Sequence, residues 1–367
     1  MHVIKRRRLW ALLAVTWVAS AVAFTDDDAL AYKQTNLVSD GAVEATPSDV
    51  NLKNPWGMAA TPGGAFWLAD NHTGVATLYN GLGAKVPLVV SVAPPKDAPA
   101  GTQASPTGIV WNPNNAQFLL APKLAAVFIF ATEDGTISAW NPTVDPTHAV
   151  LEVDNSQSGA EYKGLALATN SSGMFLYATN FRQGTVDVFD SKFQPAQLAG
   201  AFADPHLPNG YAPFGIALID GNLFVTYALQ DDQKEDDQKG PGHGFVDVFD
   251  TDGRLVTRFA ARGTLNSPWG IARAPANFGP FSSDILIGNQ GDGRISAFSS
   301  RGEFRGQLRT AQGAPVAIDG LWSLGFGNEA AADPAKLYFT AGTNAEVDGL
   351  FGSLEVVSSD SHRGGIW

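Results

Sequence analysis

Three asparagines stand at one recurring place. Asn71 precedes Gly74 by three residues, and Asn180 and Asn289 precede Gly184 and Gly293 by four. Amide and carboxylate oxygens at repeated loop positions can converge on a hard cation such as Ca²⁺, which takes oxygen ligands. On that reading Asp70, Asn180 and Asn289 are the candidate metal ligands. Tight β-connections select the same residues for another reason, because Asn and Gly tolerate turn backbone. Glu161 and Asp319 begin two repeated segments. A carboxylate pair there could act as acid and base or chelate a cation; hydrogen bonding to neighbouring strand ends is the plainer role. His72, Glu133, Arg182 and Tyr227, with Asp70, Asn71, Asn180 and Asn289, complete the candidate ligand-binding set. Thr343, Asn344 and Glu346 occupy the corresponding loop near the C-terminus.

Other chemistries are argued against. The chain has no cysteine, which excludes disulfides, thiolate metal sites and a Cys nucleophile. Its six histidines include no H-E-x-x-H or H-x-H pair, so a zinc hydrolase has no ligand set. There is no G-x-S-x-G nucleophile elbow and no P-loop. A net charge of −12 opposes nucleic-acid binding, which needs a basic face. No haem-attachment motif is present, which ranks a redox role last.

The candidate residues need a scaffold that brings distant loops together, and a repeat supplies it. Its first half is Pro-aromatic-Gly-aliphatic-Ala, as in Pro55-Trp56-Gly57-Met58-Ala59, Pro213-Phe214-Gly215-Ile216-Ala217 and Pro268-Trp269-Gly270-Ile271-Ala272. Weaker copies are Pro106-Thr107-Gly108-Ile109, Lys163-Gly164-Leu165-Ala166 and Asp319-Gly320-Leu321-Trp322. The glycines at 57, 108, 164, 215, 270 and 320 are spaced by 51, 56, 51, 55 and 50 residues. In the second half a Gly leads to an aromatic five residues on, as Gly184 leads to Phe189 and Gly244 to Phe249. A short β-rich run between turn residues is a strand. Six copies of this length match one four-stranded blade each, which predicts an all-β, six-bladed β-propeller. The sixth copy ends with no room for a fourth strand. Residues 32–40 (YKQTNLVSD) are expected to supply it and close the ring, since closure removes exposed sheet edges. Trp56, Phe214, Trp269 and Trp322 share one repeat position and are expected to pack between blades.

The segments NPWGMAATPGGAFWLADNHTGVATLYN, GFVDVFDTDG, NSPWGIA and LYFTAGTNAEVDGLFGSLEVV resemble a group of secreted bacterial propeller proteins of uncharacterised function. More distantly the blades are similar to NHL-repeat and gluconolactonase (regucalcin-like) propellers. The close resemblance implies fold and export but no reaction. The distant one implies a metal held by Glu, Asn and Asp at the channel mouth, where it would polarise a lactone carbonyl. The inner-strand Glu of that family has no counterpart in the first blade, where Asn54 stands instead.

The remaining segments set boundaries. Lys5, Arg6, Arg7 and Arg8 precede the apolar residues 9–24, and Ala21-Val22-Ala23 fits a small-x-small cleavage site. Residues 1–23 read as a signal peptide, 24–53 as closing strand and linker, 54–358 as the propeller and 359–367 as a tail. The expected location is secreted or periplasmic. The expected partner is a small molecule, an envelope component or a protein on the channel face, with no membrane span after cleavage. DDQKEDDQKGPGHG, residues 231–244, is the one charge cluster: a solvated loop or a lid over one face. The leading function is ligand binding at the channel face; the rival is a Ca²⁺-dependent lactonase or ester hydrolase at the same mouth.

Overall fold

A computed structural model of the chain describes residues 30–358. The signal-peptide and tail segments lie outside the described residues. Six antiparallel sheets form the ring of a β-propeller. Blade one is Pro55–Ala60, Phe66–Asp70, Val75–Tyr79 and Lys85–Ser91, from the channel outward. The inner strands of blades two to six are Pro106–Trp111, Tyr162–Asn170, Tyr211–Ile219, Pro268–Arg273 and Leu321–Phe326. Blade three has three strands; its outer place holds only a bridge between Phe189 and Pro195.

The ring closes as the sequence predicts. Leu30–Ser39 pairs antiparallel with Leu350–Ser358 and becomes the outer strand of blade six. It is anchored on both sides. Tyr32 packs into the core between blades five and six, while Leu37 and Val38 pack into the core between blades six and one.

Packing follows from strand alternation, which gives each sheet two apolar faces. Six buried clusters lie one between each neighbouring pair of blades. The inner strands come too close for a side chain at the motif glycine. A Cβ on Gly215 would sit 2.2 Å from the carbonyl oxygen of Trp269, and one on Gly57 2.4 Å from that of Thr107. Threonines stitch the ring here: Thr179 Oγ1 donates to Phe214 O, and Thr340 Oγ1 to Trp56 O.

Two sequence expectations change. In blade six Leu321 pairs with Ala341 as Pro55 pairs with Asp70 in blade one. Ser323, not Gly320, therefore holds the motif-glycine position, and the sixth copy is displaced by three residues. The aromatics Trp56, Phe214, Trp269 and Trp322 do not pack between blades. They meet one another inside the channel, in a seventh buried cluster with Phe181.

Candidate functional site

The aromatic cluster divides the channel. Trp56 and Trp322 stack at 3.5 Å between ring centroids, and Trp269 meets Trp56 edge-on at 6.2 Å. Trp56 also reaches Phe214 of the opposite blade at 6.5 Å. Rings from opposite blades in contact leave no through passage between them. Each of these residues precedes the motif glycine or its equivalent. Blade two places Thr107 at this position, and blade three places Lys163.

Lys163 is the centre of the site. Its side chain is 1% exposed, and its ammonium lies 5.3 Å from the centroid of Trp56 and 5.8 Å from that of Phe181. It pairs with Glu133 at 2.5 Å and Glu161 at 2.7 Å, and Asp236 approaches to 3.8 Å. A buried ammonium persists only with such partners. Burial works against its charge, but the two glutamates outweigh burial and raise its pKa. Lys163 is thus a fixed cation with no lone pair for use as base or nucleophile.

The two glutamates are pushed in opposite directions. Burial alone would raise Glu133. The Lys163 charge and hydrogen bond, with one from Asn71, outweigh it and hold Glu133 below its usual range. Burial raises Glu161, and Lys163 and Arg182 offset only part of the effect. Glu161 therefore holds a proton more readily than Glu133 does.

Above Lys163 a cup of about 420 Å³ opens to solvent. The loops before the third strands of blades one, two, three, four and six build its wall, with Glu161 at the start of the blade-three inner strand. Asn71 donates to Glu133 Oε2 at 2.9 Å. His72 stands exposed on the rim, its ring nitrogen 3.4 Å from the Asn54 amide. Arg182 bridges Glu161 at 3.1 Å and Glu235 at 2.5 Å. Gln290 donates to Glu346 Oε1 at 2.8 Å, and burial raises the Glu346 carboxyl. The acidic segment 231–243 lies across this mouth: Glu235 and Asp236 line the cup, and Lys239 lies 3.9 Å from Glu346.

The structure thus brings Asn71, His72, Glu133, Glu161 and Arg182 together. It places the remaining candidates elsewhere. Asp70 is fully buried and accepts from Thr77 within blade one, where burial drives its carboxyl well up. Asn180 accepts from the Glu161 backbone N–H and donates to Asp187. Asn289 accepts from the Asn266 N–H and donates to Thr264 and Asp292. These asparagines latch turns and inner strands, with their amides already engaged. Tyr227 is buried in the core between blades three and four. Asp319 is exposed, accepts from the Asn344 N–H, and lines a different depression from Glu161. No group of three His, Cys, Asp or Glu among the described residues is arranged to hold a metal ion.

Lys163 is the residue that sequence reasoning missed. The signal was present: the copy Tyr162-Lys163-Gly164 puts a lysine where three other copies carry Trp56, Phe214 and Trp269.

The fold and this mouth define a six-bladed propeller with a blocked channel and a charged pocket at one end. No family model matches the chain. An uncharacterized protein of Acanthamoeba polyphaga mimivirus is 33% identical over 333 residues, covering 88% of this chain and 80% of that one. A second mimivirus protein, also uncharacterized, is 33% identical over 336 residues, with 88% and 85% covered. The chain belongs to the same family as these viral proteins. Among solved structures, virginiamycin B lyase from Staphylococcus aureus matches 90% of this chain and 100% of its own, with a TM-score of 0.51 and 15% identity. That likeness is one of fold.

Proposed function

We propose that the protein is an exported binding protein that takes a small organic cation at the charged channel mouth. One observation carries the reading. Glu133, Asp134, Glu161, Glu235, Asp236 and Glu346 line the cup, against three lysine and arginine cations: Arg182 on its wall, Lys163 beneath it and Lys239 beside Glu346. This excess of carboxylate favours a positive ligand. The carboxylates are spread around the cup rather than focused on a point. A metal ion needs oxygens at about 2.3–2.6 Å from one centre; an organic cation with several N–H donors suits dispersed acceptors. Export rests on the basic residues 5–8 and the apolar residues 9–24. The intact-mass measurement that tests it predicts a mature chain beginning at Phe24.

The test of binding is thermal unfolding with spermidine, with succinate and with calcium. Ligand at one hundred times Kd stabilises by about 2.7 kcal/mol. Spermidine is expected to raise Tm, and Glu346→Gln or Asp236→Asn to reduce the rise. A rise with succinate or calcium and none with spermidine overturns the reading.

A second reading, hydrolysis at this mouth, is favoured by the opposite displacement of Glu133 and Glu161, the pattern of an acid and a base. It would use Glu161 as proton donor. Its calcium form loses the ligands Asp70, Asn180 and Asn289, whose side chains bond inside the blades. Turnover of a lactone or ester that Glu161→Gln abolishes would establish it.

A further inference from the structure

We propose that the opposite mouth of the channel is a second, separate binding site that takes one small, uncharged, apolar molecule. The aromatic plug that floors the charged cup also floors this one. The cup holds about 360 Å³, and all six inner strands contribute to its wall. Met58, Val110, Leu167, Leu218, Ile271 and Leu324 represent blades one to six, and no lining residue is charged.

Blade packing accounts for most of this lining: Met58, Val110 and Leu167 pack against the cores between blades, and Ile271 and Leu324 belong to them. Leu218 points elsewhere and is 44% exposed. A leucine held open to water on a wall without charge forgoes burial at roughly 25 cal/mol per Å², which a ligand recovers.

Size and chemistry limit the occupant. The volume lies at the lower end of the range of about 300–1,000 Å³ usual for small-molecule pockets. The plug stops any chain from threading through. A charged ligand would lose its hydration here with no partner on the wall. Two side chains of the lining carry a polar group: Ser323 has its hydroxyl, and Trp269, 8% exposed, has an indole N–H buried without a hydrogen-bond partner. The ligand class is therefore an aliphatic or aromatic molecule with no charge and at most one or two polar groups such as an ester or ketone.

The test uses the neutral dye phenylnaphthylamine, which brightens in apolar surroundings. The full chain should bind it saturably at one site. Leu218→Asp changes a residue already exposed, so the fold accepts it; Met58→Gln changes the half-buried wall. Each should weaken dye binding by at least about fivefold, since each puts an unpaired polar group on the apolar wall. Glu346→Gln, at the other mouth, should leave dye binding unchanged. Non-saturable binding, or equal binding by both cup variants and the unmodified protein, overturns the proposal. So does a dimer in sedimentation that Leu218→Asp converts to monomer, because a second copy would then be what covers the cup.

Discussion

The two mouths of this channel are made from the same six strands, yet they have opposite chemistry. The starts of the inner strands and the loops beside them carry Asn54, Glu161, Glu133 and Arg182, and they surround a buried lysine. The ends of the same strands carry Met58, Val110, Leu167 and Leu218. Between them lie Trp56, Phe214, Trp269 and Trp322. A repeat fixes where a side chain stands, and each position is then free to differ from blade to blade. Polarity changes along the axis because loops can satisfy charges with side chains of neighbouring blades. At the strand ends the side chains that line the cup are uncharged, and Arg273 and Asp220 of neighbouring blades pair with each other outside that lining. Lys163 sits at the boundary, its stem against the rings and its ammonium among carboxylates.

The comparison can be broken most severely at that boundary. Lys163→Met removes the shared partner of Glu133 and Glu161 and leaves buried charge uncompensated. The expected loss is about 3–5 kcal/mol near neutral pH. Urea unfolding should show the deficit shrinking at acid pH, where the glutamates are protonated.

A smaller effect comes from the plug. Gly215→Ala forces a methyl group against the Trp269 carbonyl and must move an inner strand. Overpacking of this kind costs about 1–3 kcal/mol. Because Phe214 and Trp269 flank the contact, both spermidine and dye titrations should weaken together, whereas a variant at either mouth weakens one alone.

The pH dependence sharpens the polar side. Glu161 binds its proton more tightly in the folded protein than in the unfolded chain, so its contribution falls as pH rises from the usual carboxylate range through its raised folded pKa. Glu133 is shifted the other way, so its contribution is present above the usual range and falls as pH drops through its lowered folded pKa. Relative to the unmodified protein, Glu161→Gln should therefore gain stability from pH 4 to pH 7, and Glu133→Gln should lose it. Urea midpoints at the two pH values check this, and parallel slopes would refute the opposite shifts.

The smallest expected change is at the apolar rim. Leu218→Asp should alter stability by no more than about 0.5 kcal/mol, as an exposed substitution away from caps and cores. Its effect belongs to dye binding, and a large drop in Tm would show that Leu218 is structural.

Much of this fold was legible in the sequence because its repeat is set by backbone contacts that only glycine permits. Gly57, Gly108, Gly164, Gly215 and Gly270 all stand where a Cβ would strike the next blade. The sixth copy slipped because Ser323 replaces the glycine, and Gly320 three residues earlier offered a false match. The closing strand was legible because a propeller with a missing strand must find one. Among site residues, Asn71, His72, Glu133, Glu161 and Arg182 were legible from their loops. Asn180 and Asn289 obeyed turn chemistry instead, as their hydrogen bonds to strand backbone show. Lys163 was obscured because a strand residue in a repeat reads as packing. Only the ring geometry reveals that its position points at the axis. The place of segment 231–243 over the mouth depends on Arg182 and Lys239 reaching across blades, which spacing along the chain does not encode.

The measurement that tests the central claim most directly is a calorimetric titration of spermidine, made with and without saturating phenylnaphthylamine. Two mouths divided by an aromatic plug predict that spermidine binds at one site with the same affinity in both experiments. Competition between the two probes, or no spermidine binding at all, would contradict it.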